Sequence, residues 1–154
     1  MSGEAKPVDI GLRYLSLGYR LRRLVDDRMT AGGLSLARTK ILQVLDRRGT
    51  LRQSSLAEEL GHAPRSVTQS VEALEREGML ERTAAPDDRR SKLVSLTPEG
   101  TKALAAGTAA GDAVLREIFG GIKGEELASL AKLLDAIDAR ISGITPEDAV
   151  SRKP

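Results

Sequence analysis

The sequence predicts a mainly α-helical fold that carries one small β-hairpin. Three observations predict it. Apolar residues recur at helical spacing along the chain on both sides of residues 80–96, where the pattern switches to strict alternation. Glycines and prolines stand at the ends of the helical runs, at Gly32-Gly33, Gly49, Gly61, Pro64, Gly78, Pro98 and Gly120-Gly121. Residues 50–97 read in turn as a short helix, a turn, a second helix and a two-stranded ribbon with a charged tip. That order is a winged helix-turn-helix, here with helices before and after it.

Taken in order, residues 1–7 are expected to form a disordered lead. Tyr14, Leu17, Leu21, Leu24 and Val25 then keep helical spacing, with Arg13, Arg20, Arg22 and Arg23 around them. One amphipathic helix over 8–30 follows, ended by Ala31-Gly32-Gly33. Ser35 can cap a second helix with Leu36, Ile41, Val44 and Leu45 facing inward. Arg47-Arg48-Gly49 closes it, placing cations where the helix dipole is negative. Thr50 and Gln53 stand at capping-box spacing for a third helix.

In the next helix Val67, Val71 and Leu74 recur at i, i+4 and i+7, so one face packs inward. At about 100° per residue, Arg65, Gln69, Glu72 and Arg76 fall on the opposite face. Two readings of that face stay open. It is an ordinary solvated face, or it offers a guanidinium fork and an amide to base edges, where Arg pairs with guanine and Gln with adenine. Gly61 suits the tight turn before this helix, Pro64 its first position, and Gly78 the C′ site that ends it. The N–H groups near Arg65 and Ser66 would be free to meet a phosphate. Leu80, Arg82 and Ala84 alternate with Glu81 and Thr83, and Val94 and Leu96 with Leu93 and Ser95. Both runs have the period of half-buried strands, and the segment 85–92 between them carries Arg89, Arg90 and Lys92.

Thr97-Pro98-Glu99 starts another helix with a cap hydroxyl, a proline and an acid at the positive dipole end. Its segment Ala105-Ala106-Gly107-Thr108-Ala109-Ala110-Gly111 is small throughout, which fits either close approach of another helix or a loosely packed, kinked helix. Gly120-Gly121 and Gly124 mark a break. Leu127, Leu130, Leu134, Ile137 and Ile141 then follow 3-4-3-4 spacing, the a/d seam of a coiled-coil-like contact. A stripe of that width also serves a helix packed on its own domain. Residues 145–154 read as a polar tail, with a frayed turn at Pro146-Glu147-Asp148.

The stretch GHAPRSVTQSVEALEREGMLERTAAPDDRRSKLVSLTPEG resembles the winged helix-turn-helix of MarR-type (multiple antibiotic resistance) transcriptional regulators. Leu56-Ala57, Val67-Thr68, Leu74-Glu75, Gly78, Asp88-Arg89-Arg90-Ser91 and Leu96-Thr97-Pro98-Glu99-Gly100 carry the resemblance. In layout it extends from about Val8 to Ser142, although the flanking helices match by pattern alone. It implies a single domain over 1–154, with helices at 8–30 and 98–143 for dimerisation. The DNA-binding lobe would lie at 34–97, with flexible ends at 1–7 and 145–154. It also implies pairing of two copies through the terminal helices, with Leu17, Leu21, Leu127, Leu130, Leu134, Ile137 and Ile141 in the contact. One departure stands out: the family places a cap hydroxyl where this chain has Arg52, which leaves the start of the third helix open by about a turn and puts a cation at a place suited to a phosphate.

With that resemblance the residues acquire expected roles. Arg65 and Gln69 are the candidates for base edges, and Thr68 a weaker one through its methyl. Ser54, Ser66 and Ser70 are placed to donate to phosphates, which fixes register without carrying sequence information. Glu72 either accepts from a cytosine N4 or disfavours misplaced phosphates. The family's Asp-x-Arg maps onto Asp88 and Arg90. By resemblance, Asp88 holds the Arg90 guanidinium as it enters a minor groove, where a narrow A·T-rich groove attracts it. Arg89 and Lys92 are read as phosphate partners. The partners implied are double-stranded DNA with a near-palindromic operator, a second copy of the chain, and a small, often aromatic or phenolic, anionic effector. Tyr14, Tyr19 and the arginines of the first helix are the suggestive lining groups for that effector, although Tyr14 is read chiefly as core. Fold alone does not set function, so a protein-interaction module on the same scaffold remains the alternative.

Composition limits other classes. The 154 residues suit one domain with a respectable core. A formal net charge of +2 does not by itself imply nucleic acid, and Glu72, Glu75, Glu77 and Glu81 offset cations near the fourth helix. With no cysteine there is no disulfide framework and no thiol-based sensing. One histidine, His62, and no cysteine argue against a metal site, and no cofactor is expected. No Gly-x-Ser-x-Gly elbow occurs, which argues against a hydrolase triad. Three aromatics, Tyr14, Tyr19 and Phe119, are too few for a single-strand or RNA reader. No signal-peptide core or long apolar run is present, so a cytoplasmic location is expected.

Overall fold

A computed structural model of the chain describes residues 5–144. The expected lead at 1–7 falls mostly, and the polar tail at 145–154 wholly, outside the described residues. In chain order the elements are α1 (Pro7–Ala31), α2 (Leu36–Arg48), β1 (Leu51–Arg52), α3 (Gln53–Leu60), α4 (Pro64–Arg76), β2 (Leu80–Ala84), β3 (Lys92–Leu96), α5 (Pro98–Phe119) and α6 (Gly124–Ser142). The fold is mainly helical with a small antiparallel sheet. The chain divides into two compact units, one ending at Val114 and the other beginning at Leu115.

The first unit is built around the inward face of α4. Val67, Val71 and Leu74 are buried with Ile41, Leu42, Val44 and Leu45 of α2, Leu56 of α3, Leu80 of β2 and Val94 of β3. Burying each of the α4 side chains contributes about 1.5–3 kcal/mol. Leu42 and Thr39 are also buried in α2, and Leu36 is only half-buried. Thr39 is tolerated there because its hydroxyl donates to Ser35 O at 2.9 Å. Ser35 caps α2 as expected, its Oγ accepting from the Arg38 amide at 3.2 Å.

The Thr50–Gln53 capping box does not form. Arg52 is the N-cap residue of α3, without a side-chain cap hydrogen bond, and Gln53 is the first helical residue. The physical reason is pairing: Leu51 and Arg52 form β1, whose partners on β3 are Val94 and Leu93. Extended backbone at these two positions delays the helix. The sheet therefore has three strands, in the order β1-β3-β2, rather than the two expected. Between β2 and β3 the register pairs Leu80 with Leu96, Arg82 with Val94 and Ala84 with Lys92.

Junctions follow the glycines. Gly61 takes φ +62° after α3, and the following His62 amide donates to Ala57 O at 3.2 Å. Gly78 does the same after α4 at φ +76°, with the Met79 amide donating to Leu74 O at 2.9 Å. Thr97 then ties the end of α4 to the start of α5. Its Oγ1 donates to Gly78 O at 2.5 Å and accepts from the Gly100 amide at 3.0 Å.

The small residues of α5 let α1, α2 and the segment joining them approach closely, the first of the two expected readings. A Cβ at Gly107 would meet Leu34 Cδ2 at 3.0 Å, and one at Gly111 would meet Met29 Sδ at 3.2 Å. Val25 and Met29 of α1 pack with Val114 of α5 in a second cluster. Leu21, packed against that cluster, and Asp26 are half-buried, and the rest of α1 is exposed, including Tyr14, Leu17 and Tyr19. Tyr14 is 49% exposed, which corrects its reading as core: the helix buries only its C-terminal end within this unit.

In the second unit, α6 has no buried residue, and Leu127, Leu134, Ile137 and Ile141 are exposed. Among the described residues no helix is long and apolar enough to cross a membrane.

The tightest glycine is Gly100, where a Cβ would run into the Met79 backbone carbonyl. Gly100→Ala should therefore lose about 1–3 kcal/mol of stability in urea unfolding. Gly111→Ala meets only the flexible Met29 side chain and should lose less than half as much. Equal effects at both positions would contradict the close junction at Met79.

Candidate nucleic-acid interface

Burial of Val67, Val71 and Leu74 sets what α4 presents on its other side. Arg65, Ser66, Gln69, Glu72 and Arg76 are all exposed, and Ser70 is half-buried. Pro64 is the first helical residue, and Ala63 supplies no side-chain cap, so the N–H groups of Arg65 and Ser66 face solvent without an intrahelical acceptor. Ser54 is exposed on α3. Thr68 is half-buried, and its hydroxyl is already engaged. It accepts from Gln53 Nε2 at 2.9 Å and donates to Pro64 O at 2.9 Å, leaving only the methyl for a thymine. The Gln53 amide thus ties α3 to α4 in place of capping its own helix, while its buried Oε1 has no partner.

Three acids near α4 are consumed internally. Glu75 Oε2 accepts from Arg82 Nε at 2.9 Å and lies 2.8 Å from Nη2, joining α4 to β2. Those hydrogen bonds hold the Glu75 carboxyl below its ordinary pKa against the opposing effect of burial. Glu72 lies 3.8 Å from Arg82 Nη1, with its side chain still half exposed. Glu77 pairs with Arg38 of α2 at 3.0 Å. Arg65, Arg76, Arg89, Arg90 and Lys92 have no hydrogen-bonded side chain or ion pair among the described residues. Of the four acids expected to offset the interface cations, Glu72, Glu75 and Glu77 are occupied in holding α4 to α2 and β2, while Glu81 stays exposed on β2.

The wing is the loop 85–91 between β2 and β3. Ala85 is buried, and its amide donates to Ser91 O at 3.0 Å. The expected grip of Asp88 on the Arg90 guanidinium is absent. Asp88 Oδ1 instead accepts from the Arg90 backbone amide at 2.9 Å, and Oδ2 from the Ser91 hydroxyl at 3.0 Å. A short carboxylate reaches the amide two residues on more readily than the end of a long side chain. Those two bonds, the backbone one first, lower the Asp88 pKa. Asp88 thus shapes the turn, and the guanidinium of Arg90 is left exposed.

Two groups went unnoticed at the sequence level. Arg82 shares the inward register of Leu80, and an arginine facing inward on a strand signals a carboxylate nearby. Asp87 binds Arg52 Nη2 with both oxygens, each at 2.6 Å. No local spacing connects those two residues.

A separate cleft of about 400 Å³ lies between α1 and the start of α2, lined by Tyr19, Arg22, Arg23, Asp26, Asp27, Leu36 and Ala37. Asp26 Oδ1 accepts from the Leu36 amide at 2.9 Å and so fastens α1 to the N-terminus of α2. Tyr14 is not part of this lining.

Comparisons with known proteins agree with this geometry. The family model described as "MarR family" matches residues 34–92. The uncharacterized HTH-type transcriptional regulator YfiV of Bacillus subtilis (strain 168) is 35% identical over 69 residues, covering 45% of this chain and 43% of that protein. The match thus spans less than half of that relative's length. A mutant MarR from E. coli, solved in complex with operator DNA, superposes with a TM-score of 0.69 at 21% identity, covering 84% of this chain and 94% of that one. Bordetella bronchiseptica BpsR, whose DNA binding is regulated by 6-hydroxynicotinic acid, gives 0.69 at 21% identity, covering 84% and 98%. At that identity the two structures establish the fold. Family model, relative and fold coincide on the same helix-turn-helix and wing, so residues 34–92 match the MarR family and the chain shares the fold of its solved members.

Proposed function

We propose that this chain is a cytoplasmic transcriptional regulator that binds double-stranded DNA sequence-specifically as a homodimer and represses until a small anionic effector releases it. The observation that carries the reading is the set of unpaired side chains on α4 and the wing. Arg65 and Gln69 face solvent one turn apart at the start of α4, while Arg89, Arg90 and Lys92 cluster at or beside the wing loop. A major groove accepts a helix presented in this way, and Arg and Gln there discriminate guanine and adenine. Ser54, Ser66 and Ser70, with Arg89 and Lys92, fit phosphate contacts, and Arg90 fits a narrow minor groove.

The dimer rests on exposed apolar surface. Leu17 on α1, together with Leu127, Leu134, Ile137 and Ile141 on α6, stays exposed in the single chain. Leu21 and Leu130 are half-buried. Apolar faces of this extent mark association surfaces, and a second copy is the partner proposed. In such a dimer the two α4 helices would enter successive major grooves about 34–36 Å apart.

The effector reading rests on the α1–α2 cleft. Arg22 and Arg23 suit a carboxylate or phenolate, and Tyr19 offers a ring for an aromatic ligand. A ligand there would act by binding one arrangement of α1 and α2 better than another.

Arg65→Ala should relax preference at one base pair per half-site and cost about 1–3 kcal/mol of binding, read by titration against single-base operator variants. An unchanged preference removes Arg65 from base reading. Arg90→Ala should weaken binding mainly to duplexes with A·T-rich flanks, as measured by fluorescence anisotropy. Equal loss on G·C-rich flanks would count against minor-groove entry.

A further inference from the structure

Arg52 stands at an unusual junction. It is the last residue of β1, paired with Leu93 on β3, and also the N-cap of α3. Its side chain does not cap that helix. The guanidinium instead crosses to the wing, where Nη2 meets both carboxylate oxygens of Asp87 at 2.6 Å. Asp87 immediately precedes Asp88, which fixes the turn carrying Arg90 and Ser91. The hairpin's own bonds, Ala85 to Ser91 and Ser91 to Asp88, shape the loop from within. Arg52 grips it from outside the hairpin, anchored where β1 runs into α3.

We propose that Arg52 is a positioning residue for the wing: by clasping Asp87 it sets the orientation in which the loop carries Arg89 and Arg90, and so tunes groove selection. The inference rests on the DNA-binding reading and adds to it a residue that acts through the wing. Mutual stabilisation of the two charges agrees with the clasp, since the Asp87 hydrogen bond raises the Arg52 pKa and Arg52 lowers that of Asp87. The side chains are 37% and 67% exposed, so the clasp is an adjustable restraint rather than part of the core. The competing role for Arg52 is a direct phosphate contact, with Asp87 merely screening it.

The two roles predict opposite signs for one variant. Asp87→Asn removes a negative charge beside the DNA. If Arg52 touches phosphate, that change tightens binding to every duplex, and Arg52→Ala weakens all duplexes equally with a shallower salt dependence. In a clasp, both variants act alike. Each should lower the preference for A·T-rich over G·C-rich flanks by roughly two- to fivefold, the scale of an exposed ion pair.

The experiment uses the full chain and short duplexes bearing the sequence enriched from a random pool, with A·T or G·C flanks. Alongside it, amide hydrogen exchange of residues 85–92 is followed in the free protein, with α4 amides as the folding control. Faster loop exchange and lost flank discrimination in both single variants, restored in Arg52→Asp/Asp87→Arg, support the clasp. Unchanged loop exchange, opposite signs for the two variants, or a charge swap that restores neither readout overturns it while leaving DNA binding intact. A wild-type protein that binds no duplex overturns the parent reading, and groove tuning with it.

Discussion

Everything the chain presents to a partner depends on burying three side chains of α4. Val67, Val71 and Leu74 are almost wholly inaccessible, and they engage α2, α3 and both long strands together. A helix anchored along one face has no freedom to rotate, because turning it would expose that apolar stripe. Its opposite face, from Arg65 to Arg76, is therefore presented as a rigid surface. Pre-orientation of this kind limits the entropy that binding must remove, and it favours a defined reading register.

Polar ties complete what the core begins. Glu75 to Arg82 joins α4 to β2, Glu77 to Arg38 joins the end of α4 to α2, and Thr68 to Gln53 joins it to α3. Each tie ends on a different neighbour. Exposed pairs of this sort contribute little stability individually. Their larger consequence is electrostatic: three of the four acids near the interface cations are occupied in these ties. In a near-neutral chain, association would be steered by a small region rather than by net charge.

The helices and their ends were legible because their signals are local. Periodic apolar residues, Ser35, Pro64, Gly78 and Thr97 all stood where the structure uses them. The features that escaped depend on residues far apart in sequence. β1 exists only because β3 is there to pair with it, and that pairing displaced the expected Thr50 cap. Arg52 finds Asp87 across 35 positions, which no spacing rule reveals. Asp88 was expected to bind a guanidinium, whereas backbone geometry within two residues gave it a nearer donor. Tyr14 had core-like spacing, yet the surface available within its own unit ends near Leu21. An amphipathic helix read from sequence shows which face is apolar, and the partner of that face must come from elsewhere.

The central claim is that the exposed face of α4 reads duplex DNA in pairs. The most direct measurement is selection of bound sequences from random double-stranded DNA by the purified chain, near physiological salt. The account predicts enrichment of a near-palindrome whose half-sites lie one helical turn apart. A folded protein that enriches no sequence at all would contradict it, and would point instead to a protein partner for the same face.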